Sequence, residues 1–424
     1  MTSLSTRCCI AGGGPAGIML GYLLARSGID VLVLEKHADF FRDFRGDTVH
    51  PSTLDVFAEL GLLDDFLARP HQEMTEAAGM IGDTLVPIAD LSHLPTRCKF
   101  IALMPQWDFL NFLAEKGKRY PGFRVLMATE VSGLIDEGGV VAGVRATSPD
   151  GPLEVRAELV VGADGRGSTV RQAAGLQVRD FGSPIDVLWF RLNKNPGDAT
   201  ETLGHFIGGR LLVMIDRGEY WQCAYVIPKG GIEAIQARGL PALRNELALF
   251  VRPPASRLDQ LQSWDDIKLL TVTIDRLECW SKLGLLCIGD AAHAMSPMGG
   301  VGINLAIQDA VATANILVPI LRARTLRPGD LEAVQRRRLF PVRLIQSLQI
   351  FVQNRIFGNV AEAAPTADTK TRLIFPLQLL RAFPILRRIP ALVLGVGPRP
   401  EHVRTPEILT NASTCEAGHG PRPS

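Results

Sequence analysis

The sequence of 424 residues predicts an α/β fold, in which a dinucleotide-binding domain is interrupted by strand-rich insertions. A glycine-rich strand–turn–helix pattern occupies Cys8–Lys36, near the start of the chain. Two further apolar runs, Leu159–Val161 and Leu285–Ile288, end in glycine and aspartate, as buried parallel strands do. Because residues 181–274 between them are rich in strand patterns, the three strand ends indicate one domain split by insertions, and not a row of separate domains.

The first pattern is typical of a dinucleotide site. Gly12, Gly14 and Gly17 form G-x-G-x-x-G between a strand and a helix. The first glycine permits a tight turn, the second lets the backbone approach a pyrophosphate, and the third lets the helix pack on the strand. Glu35 follows the next strand, where a carboxylate can accept the hydroxyls of an adenosine ribose. The alternative is a tight turn in another kind of α/β protein, and this stretch alone does not say which dinucleotide binds.

The remaining elements follow from local patterns. Gly82-Asp83 stands between two apolar runs and predicts a hairpin. Prolines break the last, arginine-rich region into short helices, and the tail is rich in Gly, Pro and Ser. The clearest helices are predicted at Ser52–Leu67, Trp107–Lys118, Ala234–Val251 and Ile303–Leu321, and the clearest strands at Val187–Leu192, Leu211–Ile215 and Trp221–Ile227.

Composition narrows the possible functions. A net charge of +1 argues against a dedicated nucleic-acid binder, although residues 319–404 hold 15 Lys and Arg against 5 Asp and Glu. The seven cysteines have no C-x-x-C spacing, so we expect free thiols in a reducing, cytoplasmic compartment, and no metal site. The first strand starts too early for a signal peptide, and we expect no membrane-spanning helix.

Two further motifs accompany the glycine fingerprint. The middle one is V-V-G-A-D-G-R-G-S-T-V-R at Val160–Arg171, and the last one is G-D-A-A-H-A-M-S-P-M-G-G-V-G-I-N at Gly289–Asn304. With these three motifs in this order, the chain resembles the class A flavoprotein monooxygenases of the para-hydroxybenzoate hydroxylase type, over Thr6–Leu321. The resemblance implies a Rossmann-like FAD-binding domain of the glutathione reductase type, a β-rich substrate domain and a helical C-terminal region. The expected boundaries are 1–71, 98–178 and 280–325 for the FAD domain, 72–97 and 179–279 for the substrate domain, 326–408 for the helical region and 409–424 for a flexible tail.

The resemblance also implies which residues bind FAD. Asp290 suits the ribityl chain, although it could be a helix or loop cap, and Asp164 would serve both FAD and NAD(P)H unless it only makes an Asp-Gly turn. Backbone N–H groups of the Gly299–Gly302 loop and the following helix would face the flavin. The full set is Gly12, Gly14, Pro15, Ala16, Gly17, Glu35, Lys36, Arg42, Arg45, Gln106, Val131, Asp164, Asp290, Pro297, Gly299, Gly300, Gly302, Ile303 and Asn304.

The implied reaction is hydroxylation of an aromatic ring. NADH or NADPH would reduce FAD, O2 would form a flavin C4a-hydroperoxide, and one oxygen would pass to an electron-rich carbon. Expected catalytic residues are Arg45, Pro297 beside the flavin, and His50 as a proton relay, although His50 could be a turn histidine before Pro51. We expect a large apolar phenol, quinol or polyketide-like substrate, bound by residues of the inserted sheet: Trp189, Arg191, Met214, Gln222 and Tyr225. Alternation does not tell which face is inward.

Three other functions stay open at this point. A flavin-dependent halogenase shares the fold, but its W-x-W-x-I-P motif corresponds here to Cys223–Pro228, which lacks both tryptophans. A flavin oxidoreductase that does not hydroxylate and a non-catalytic flavin-binding protein are the other two. The basic C-terminal helices could dock on the FAD domain or at a homodimer interface, or could contact a membrane peripherally.

Overall fold

The computed structural model describes residues 2–41, 48–195, 197–198, 203–251, 255–357 and 375–408. Within these ranges the strands alternate with helices, as expected for an α/β protein. The strands are β1 (Thr2–Ala11), β2 (Val31–Leu34), β3 (Thr48–Val49), β4 (Gln72–Met74), β5 (Glu76–Ile81), β6 (Thr84–Asp90), β7 (Ile101–Leu103), β8 (Phe123–Leu126), β9 (Glu130–Glu137), β10 (Val140–Ser148), β11 (Gly151–Gly162), β12 (Val178–Asp180), β13 (Ile185–Asn193), β14 (Leu203–Ile207), β15 (Arg210–Asp216), β16 (Tyr220–Pro228), β17 (Lys268–Leu270), β18 (Asp275–Leu277), β19 (Ser281–Lys282) and β20 (Leu285–Cys287).

The helices separate and cover these strands. Short 3₁₀ turns, among them Gly289–Ala291 and Met298–Gly300, connect some of the elements. The α-helices are α1 (Pro15–Arg26), α2 (Pro51–Glu59), α3 (Leu63–Leu67), α4 (Gln106–Gly117), α5 (Thr169–Ala173), α6 (Ile232–Arg238), α7 (Leu240–Leu247), α8 (Gly302–Ala323), α9 (Pro328–Phe357), α10 (Phe375–Ala382) and α11 (Arg388–Gly395).

A mostly parallel sheet brings the three motifs together. Its order is β19-β20-β11-β1-β2-β8, with β1 parallel to both β11 and β2, β10 antiparallel to the first half of β11, and β9 antiparallel to β10. The last four residues of β1 are fully buried, because a central parallel strand is covered on both faces. The carboxyl ends of β1, β11 and β20 therefore meet at one edge, which is where open α/β sheets bind ligands.

A second, largely antiparallel sheet has the order β17-β13-β16-β15-β14-β5-β6. The hairpin of β5 and β6 turns at Gly82-Asp83 and joins this sheet through a parallel pairing with β14. Residues 76–90 thus share one sheet with strands from residues 185–270, whereas β4 pairs with β7 in a small separate sheet. Helices α6 and α7 cover one face of the large sheet.

Long helices complete the molecule. The stretch Met298–Ala323, which includes α8, is long and apolar enough to cross a membrane. However, 83% of the apolar 18-residue window within it is buried inside the protein. It packs against α1 and α9 as a core helix. Residues 405–408 return to the end of α1, where Arg26 and Ser27 donate hydrogen bonds to the carbonyls of Thr405 and Pro406. The predicted α/β fold with a strand-rich insertion is confirmed; the predicted tail, 409–424, lies outside the described residues.

Candidate functional site

The glycine fingerprint forms the turn between β1 and α1. Gly12 has φ +103°, and a Cβ there would lie 2.3 Å from the carbonyl oxygen of Ala163. A Cβ on Gly17 would lie 2.0 Å from the carbonyl oxygen of Gly12, so helix and strand touch only because both positions are glycine. A Cβ on Gly14 meets nothing within 4 Å. Gly14 therefore borders open space at the start of α1, whose first residues are Pro15 and Ala16, and a helix N-terminus favours the negative charge of a phosphate.

Glu35 lies beside this turn, at the end of β2. Its carboxylate accepts hydrogen bonds from the backbone N–H of Gly13 at 2.9 Å and of His37 at 3.0 Å. The adjacent Lys36 is exposed. The carbonyl of Glu35 accepts from Thr129 N–H at 2.8 Å, which brings the start of β9 and Val131 to the same corner of the sheet. These contacts fit an adenosine ribose at Glu35 with the β9 backbone nearby. Gln106 is the first residue of α4 and is partly exposed.

The middle and last motifs are tied to each other by a residue that the sequence analysis missed. Arg166 Nε donates to Asp290 Oδ2 at 3.1 Å, and Asp290 keeps about a third of its side chain exposed (36%). Asp164 caps α5, accepting from Ser168 Oγ at 2.5 Å and from Val170 N at 3.1 Å. Burial raises the pKa of Asp164, although these hydrogen bonds oppose the rise. Asp164 is therefore engaged in local hydrogen bonds, whereas Asp290 stays accessible; the role of each towards FAD stays a prediction.

The glycine loop after Asp290 adopts backbone angles that suit glycine. Gly299 and Gly300 have φ of +78° and +63°, and a Cβ on Gly300 would lie 2.3 Å from Thr48 Oγ1. Thr48 also donates to the Gly300 carbonyl at 2.8 Å. Pro297 precedes the 3₁₀ turn of this loop, and α8 then begins at Gly302 and Ile303. The loop thus presents backbone in front of a 22-residue helix, whose N-terminus favours negative charge.

Asn304 and His50 anchor this loop to the region around α2. Asn304 Oδ1 accepts from Ser52 Oγ at 2.9 Å and from Thr53 Oγ1 at 2.7 Å. His50 is fully buried at the N-cap of α2, with Nδ1 2.7 Å from the carbonyl oxygen of Leu394 and Nε2 3.1 Å from that of Gly300. Burial lowers the pKa of His50 below its ordinary value, although both carbonyls favour the protonated ring.

The five predicted substrate residues divide between the two faces of the large sheet. Trp189, Arg191 and Gln222 lie on one face; Trp189 packs towards Ile215 and α11, and Arg191 pairs with Gln222 across β13 and β16 and stacks on Tyr220. The prediction is wrong for Met214 and Tyr225. Both face α6 and α7, where the Tyr225 hydroxyl donates to the buried Glu246, because the alternation of β15 and β16 turns them away from the other three.

The face that carries Trp189 is also the face near the glycine loop. Met298, next to Pro297, packs against the apolar cluster on this side of the sheet, which includes Val187 and Val226. A site between the loop and this face has apolar walls. Arg42 and Arg45, predicted to contact FAD, lie outside the described residues, so their placement stays a prediction. In the described residues, the open cradle at Gly14, the carboxylate acceptors of Glu35 and Asp290, and the backbone of Gly299–Gly302 fit FAD.

A buried ionic cluster lies behind Asp290. Asp309 Oδ2 accepts from the N–H of Gly289 at 3.1 Å and lies 2.6 Å from His293 Nε2. Asp309 Oδ1 accepts from Arg338 Nε at 2.9 Å, and Arg338 also reaches Glu401 at 3.4 Å. Burial raises the pKa of Asp309, but the charges and hydrogen bonds of His293 and Arg338 outweigh burial and hold that pKa below its usual value. The cluster fixes the Gly289–Ala291 turn.

Comparison with known proteins agrees with this geometry. A family model described as an FAD binding domain matches residues 5–346. The 6-methylpretetramide 4-monooxygenase of Streptomyces rimosus is 35% identical over 377 residues, which are 86% of this chain and 89% of the relative. The 12-dehydrotetracycline 5-monooxygenase/anhydrotetracycline 6-monooxygenase of Streptomyces rimosus subsp. rimosus is 29% identical over 71% of this chain; the match spans only 60% of that longer relative.

A solved structure is similar in fold. PqsL of Pseudomonas aeruginosa, described as a probable FAD-dependent monooxygenase, superposes with a TM-score of 0.70 at 25% sequence identity. The match covers 84% of this chain and 99% of PqsL.

Proposed function

This chain belongs to the family of FAD-dependent aromatic monooxygenases, and we propose that it hydroxylates a large, apolar, electron-rich aromatic compound of the polyketide type. One observation carries this choice of substrate class. The sheet face that looks towards Met298 and α11 is lined by apolar side chains and offers broad contact to a multi-ring substrate. Its members are Val187, Trp189, Leu211, Val213, Ile215, Ala224 and Val226. The similarity to a 6-methylpretetramide 4-monooxygenase supports the same class.

The residues of the chain would bind and orient the reacting groups. FAD, when bound, supplies the electron transfer and oxygen activation that amino-acid side chains lack. Gly14 and the start of α1 would receive the pyrophosphate, Glu35 the adenosine ribose, and Asp290 the ribityl chain. The backbone of Gly299–Gly302 and the N-terminus of α8 would stabilise negative charge on the reduced ring. Pro297 and the apolar sheet face would exclude water from the site.

The proposed reductant is NADH or NADPH, bound transiently on the existing surface. The sequence has one G-x-G-x-x-G fingerprint, at Gly12–Gly17, which supports a single permanent dinucleotide site. His50 would serve this chemistry by holding the Gly300 carbonyl in place, since both ring nitrogens face backbone carbonyls.

The deciding experiment follows the flavin absorbance without oxygen. FAD-loaded protein is mixed with NADH or NADPH, alone and with three aromatic probes: a tetracyclic phenol, a simple phenol and a hydroxybenzoate. We expect bleaching to accelerate most with the tetracyclic phenol, and that compound to be hydroxylated once air is admitted. Acceleration by hydroxybenzoate alone would refute the substrate class. A flavin that stays oxidised with both nucleotides and works only with a separate flavin reductase would favour a halogenase-like function.

A matched pair of variants tests the cofactor cradle. Gly14→Ala places a methyl group in the open space before α1, whereas Gly329→Ala places one in open space at the start of α9, far along the chain. We expect Gly14→Ala to weaken FAD binding at least about tenfold, because the pyrophosphate loses its close approach, with little change in unfolding temperature. Gly329→Ala should bind FAD like the parent. Equal FAD affinity for both variants would contradict the assignment.

A second copy of this chain is the proposed partner of α9. Four large side chains on this helix are exposed at spacings of four, four and three residues, and so form one stripe: Phe340, Leu344, Leu348 and Phe351. Two copies related by a twofold axis would bring the two stripes into contact.

Sedimentation velocity and vesicle binding test this assembly. We expect a dimer that Phe351→Gln weakens, with no binding to anionic vesicles. A monomer that binds such vesicles would refute the dimer and support peripheral membrane contact.

We also propose a cytoplasmic location, supported by the six cysteines of the described residues, which are all free thiols. Fractionation of the native host would test the location.

A further inference from the structure

The second half of α9 carries a row of buried amides. Gln346, Gln349 and Gln353 follow each other at three and four residues, so they lie on one helix face. All three are at least 95% buried, opposite the exposed apolar stripe of the same helix. Glutamine is seldom buried unless its amide is hydrogen-bonded, so the partners of this row indicate its purpose.

The partners lie in one short segment, residues 294–298, and at Asp275 of the adjoining strand β18. Gln346 Nε2 donates to the carbonyl oxygens of Asp275 at 2.7 Å and Ala294 at 2.9 Å. Gln349 Nε2 donates to the carbonyl oxygens of Ser296 at 3.1 Å and Met298 at 3.0 Å. The glutamine amides are therefore arranged along residues 294–298.

This segment needs such partners. Residues 293–296 form neither helix nor strand, yet Ala294, Met295 and Ser296 are at least 98% buried. Buried carbonyls without hydrogen bonds are costly. Among the described residues, strand β18 supplies a partner only at the start of the segment, where the N–H of Asp275 donates to the Ala294 carbonyl at 3.3 Å. The N–H of Ala294 is bound separately, by Asp275 Oδ1 at 3.2 Å. The amide of Gln353 adds a hydrogen bond to the Ser296 hydroxyl. At Ser296 and Met298, the glutamines take the place of a neighbouring strand.

We propose that Gln346, Gln349 and Gln353 are positioning residues that fix Pro297 and Met298 between FAD and the substrate sheet. The proposal rests on the proposed function, which places FAD at this loop. Gln349 has the greatest effect, since its one amide group binds the carbonyls on both sides of Pro297. Helix α9 also reaches the sheet itself, where the ring centroids of Phe357 and Phe206 are 6.1 Å apart. Helix α9 thus positions the loop that contains Pro297 and Met298 and also contacts the substrate sheet.

The test substitutes methionine, which has a similar length and no amide. Gln349→Met is compared with Gln335→Met, because Gln335 lies on the same helix and its amide also bonds to backbone, at Glu278 O and Trp280 N, away from the loop. Hydrogen–deuterium exchange of residues 294–301 is measured with and without FAD. The visible spectrum and the midpoint potential of bound FAD are then recorded for each variant.

Gln349→Met should raise the exchange rate of residues 298–300 about tenfold and shift the flavin spectrum and potential, while FAD affinity stays within about threefold. Gln335→Met should change none of these. If Gln349→Met does not fold, Gln353→Met, which removes a single hydrogen bond, replaces it with the same expected direction. Unchanged exchange and an unchanged flavin spectrum would overturn the proposal. Failure of the parent protein to bind FAD would instead overturn the proposed function.

Discussion

Replacing Arg338 by methionine tests the buried ionic cluster behind Asp290. Arg338 is 1% exposed and bonds to Asp309 at 2.9 Å and to Glu401 at 3.4 Å. Methionine fills much of the same space but leaves both carboxylates without this cation. Because α8, α9 and the segment before residue 408 meet at this side chain, the loss affects the packing of three parts of the chain.

The remaining contacts set the size of the effect. Removing one partner from a buried ion pair costs about 3–5 kcal/mol when the other charge stays uncompensated. Here Asp309 keeps His293 at 2.6 Å, and Glu401 keeps Arg337 at 2.6 Å. We therefore expect the lower end, about 3 kcal/mol of unfolding free energy. At an unfolding entropy of about 2.1 cal/mol/K per residue, a chain of 424 residues loses about 1 °C for each kcal/mol, so the unfolding temperature should fall by roughly 3 °C.

Thermal unfolding followed by circular dichroism measures this change. The matched control is Arg336→Met on the same helix, whose pair with Glu332 is exposed at 3.5 Å. An exposed i,i+4 pair contributes about 0.3–0.5 kcal/mol, so the control should shift the unfolding temperature by less than about 1 °C. If Arg338→Met unfolds at the same temperature as Arg336→Met, the reasoning about the buried cluster is wrong.

Three further variants test the other contacts. His50→Gln should remove a pH dependence of the unfolding free energy. Because burial lowers the pKa of His50, the stability that the neutral ring contributes is complete above about pH 6.5 and is lost as the pH falls below that value. Urea unfolding at about pH 5 and pH 7.5 would detect this loss in the parent protein and its absence in the variant. Tyr225→Phe should lower the unfolding free energy by about 1–2 kcal/mol, by leaving Glu246 with one partner fewer, and should not change KM for an aromatic substrate; a raised KM would restore Tyr225 to the substrate side. Gly12→Ala should abolish FAD retention and lower the unfolding temperature, because its methyl group overlaps the Ala163 carbonyl; normal FAD content after purification would contradict this.

Local patterns were enough to predict the strand ends that form the cofactor cradle. The run Leu285–Ile288 predicted a buried strand, and β20 covers Leu285–Cys287. Gly82-Asp83 predicted a hairpin, and β5 and β6 turn there. Apolar runs, glycines and turn residues act on their immediate neighbours, so their structural meaning can be read within about ten residues.

Relations between distant segments could not be predicted in the same way. The alternation of side chains along β15 and β16 does not distinguish the two faces of the sheet. Only the later helices α6 and α7 determine which face Met214 and Tyr225 share, away from Trp189. The carbonyl that His50 contacts through Nδ1 belongs to Leu394, 344 residues further along the chain. The partner of Asp290, Arg166, has no signal beyond its place in the middle motif.

The return of residues 405–408 to the end of α1 has a consequence for synthesis in the cell. Arg26 and Ser27 leave the ribosome early, but their partners at Thr405 and Pro406 are made almost 380 residues later. Until residue 162 has been made, one edge of β1 also waits for β11, and an unpaired strand edge invites aggregation. We therefore expect the growing chain to depend on chaperones, and FAD to be captured only after translation is nearly complete.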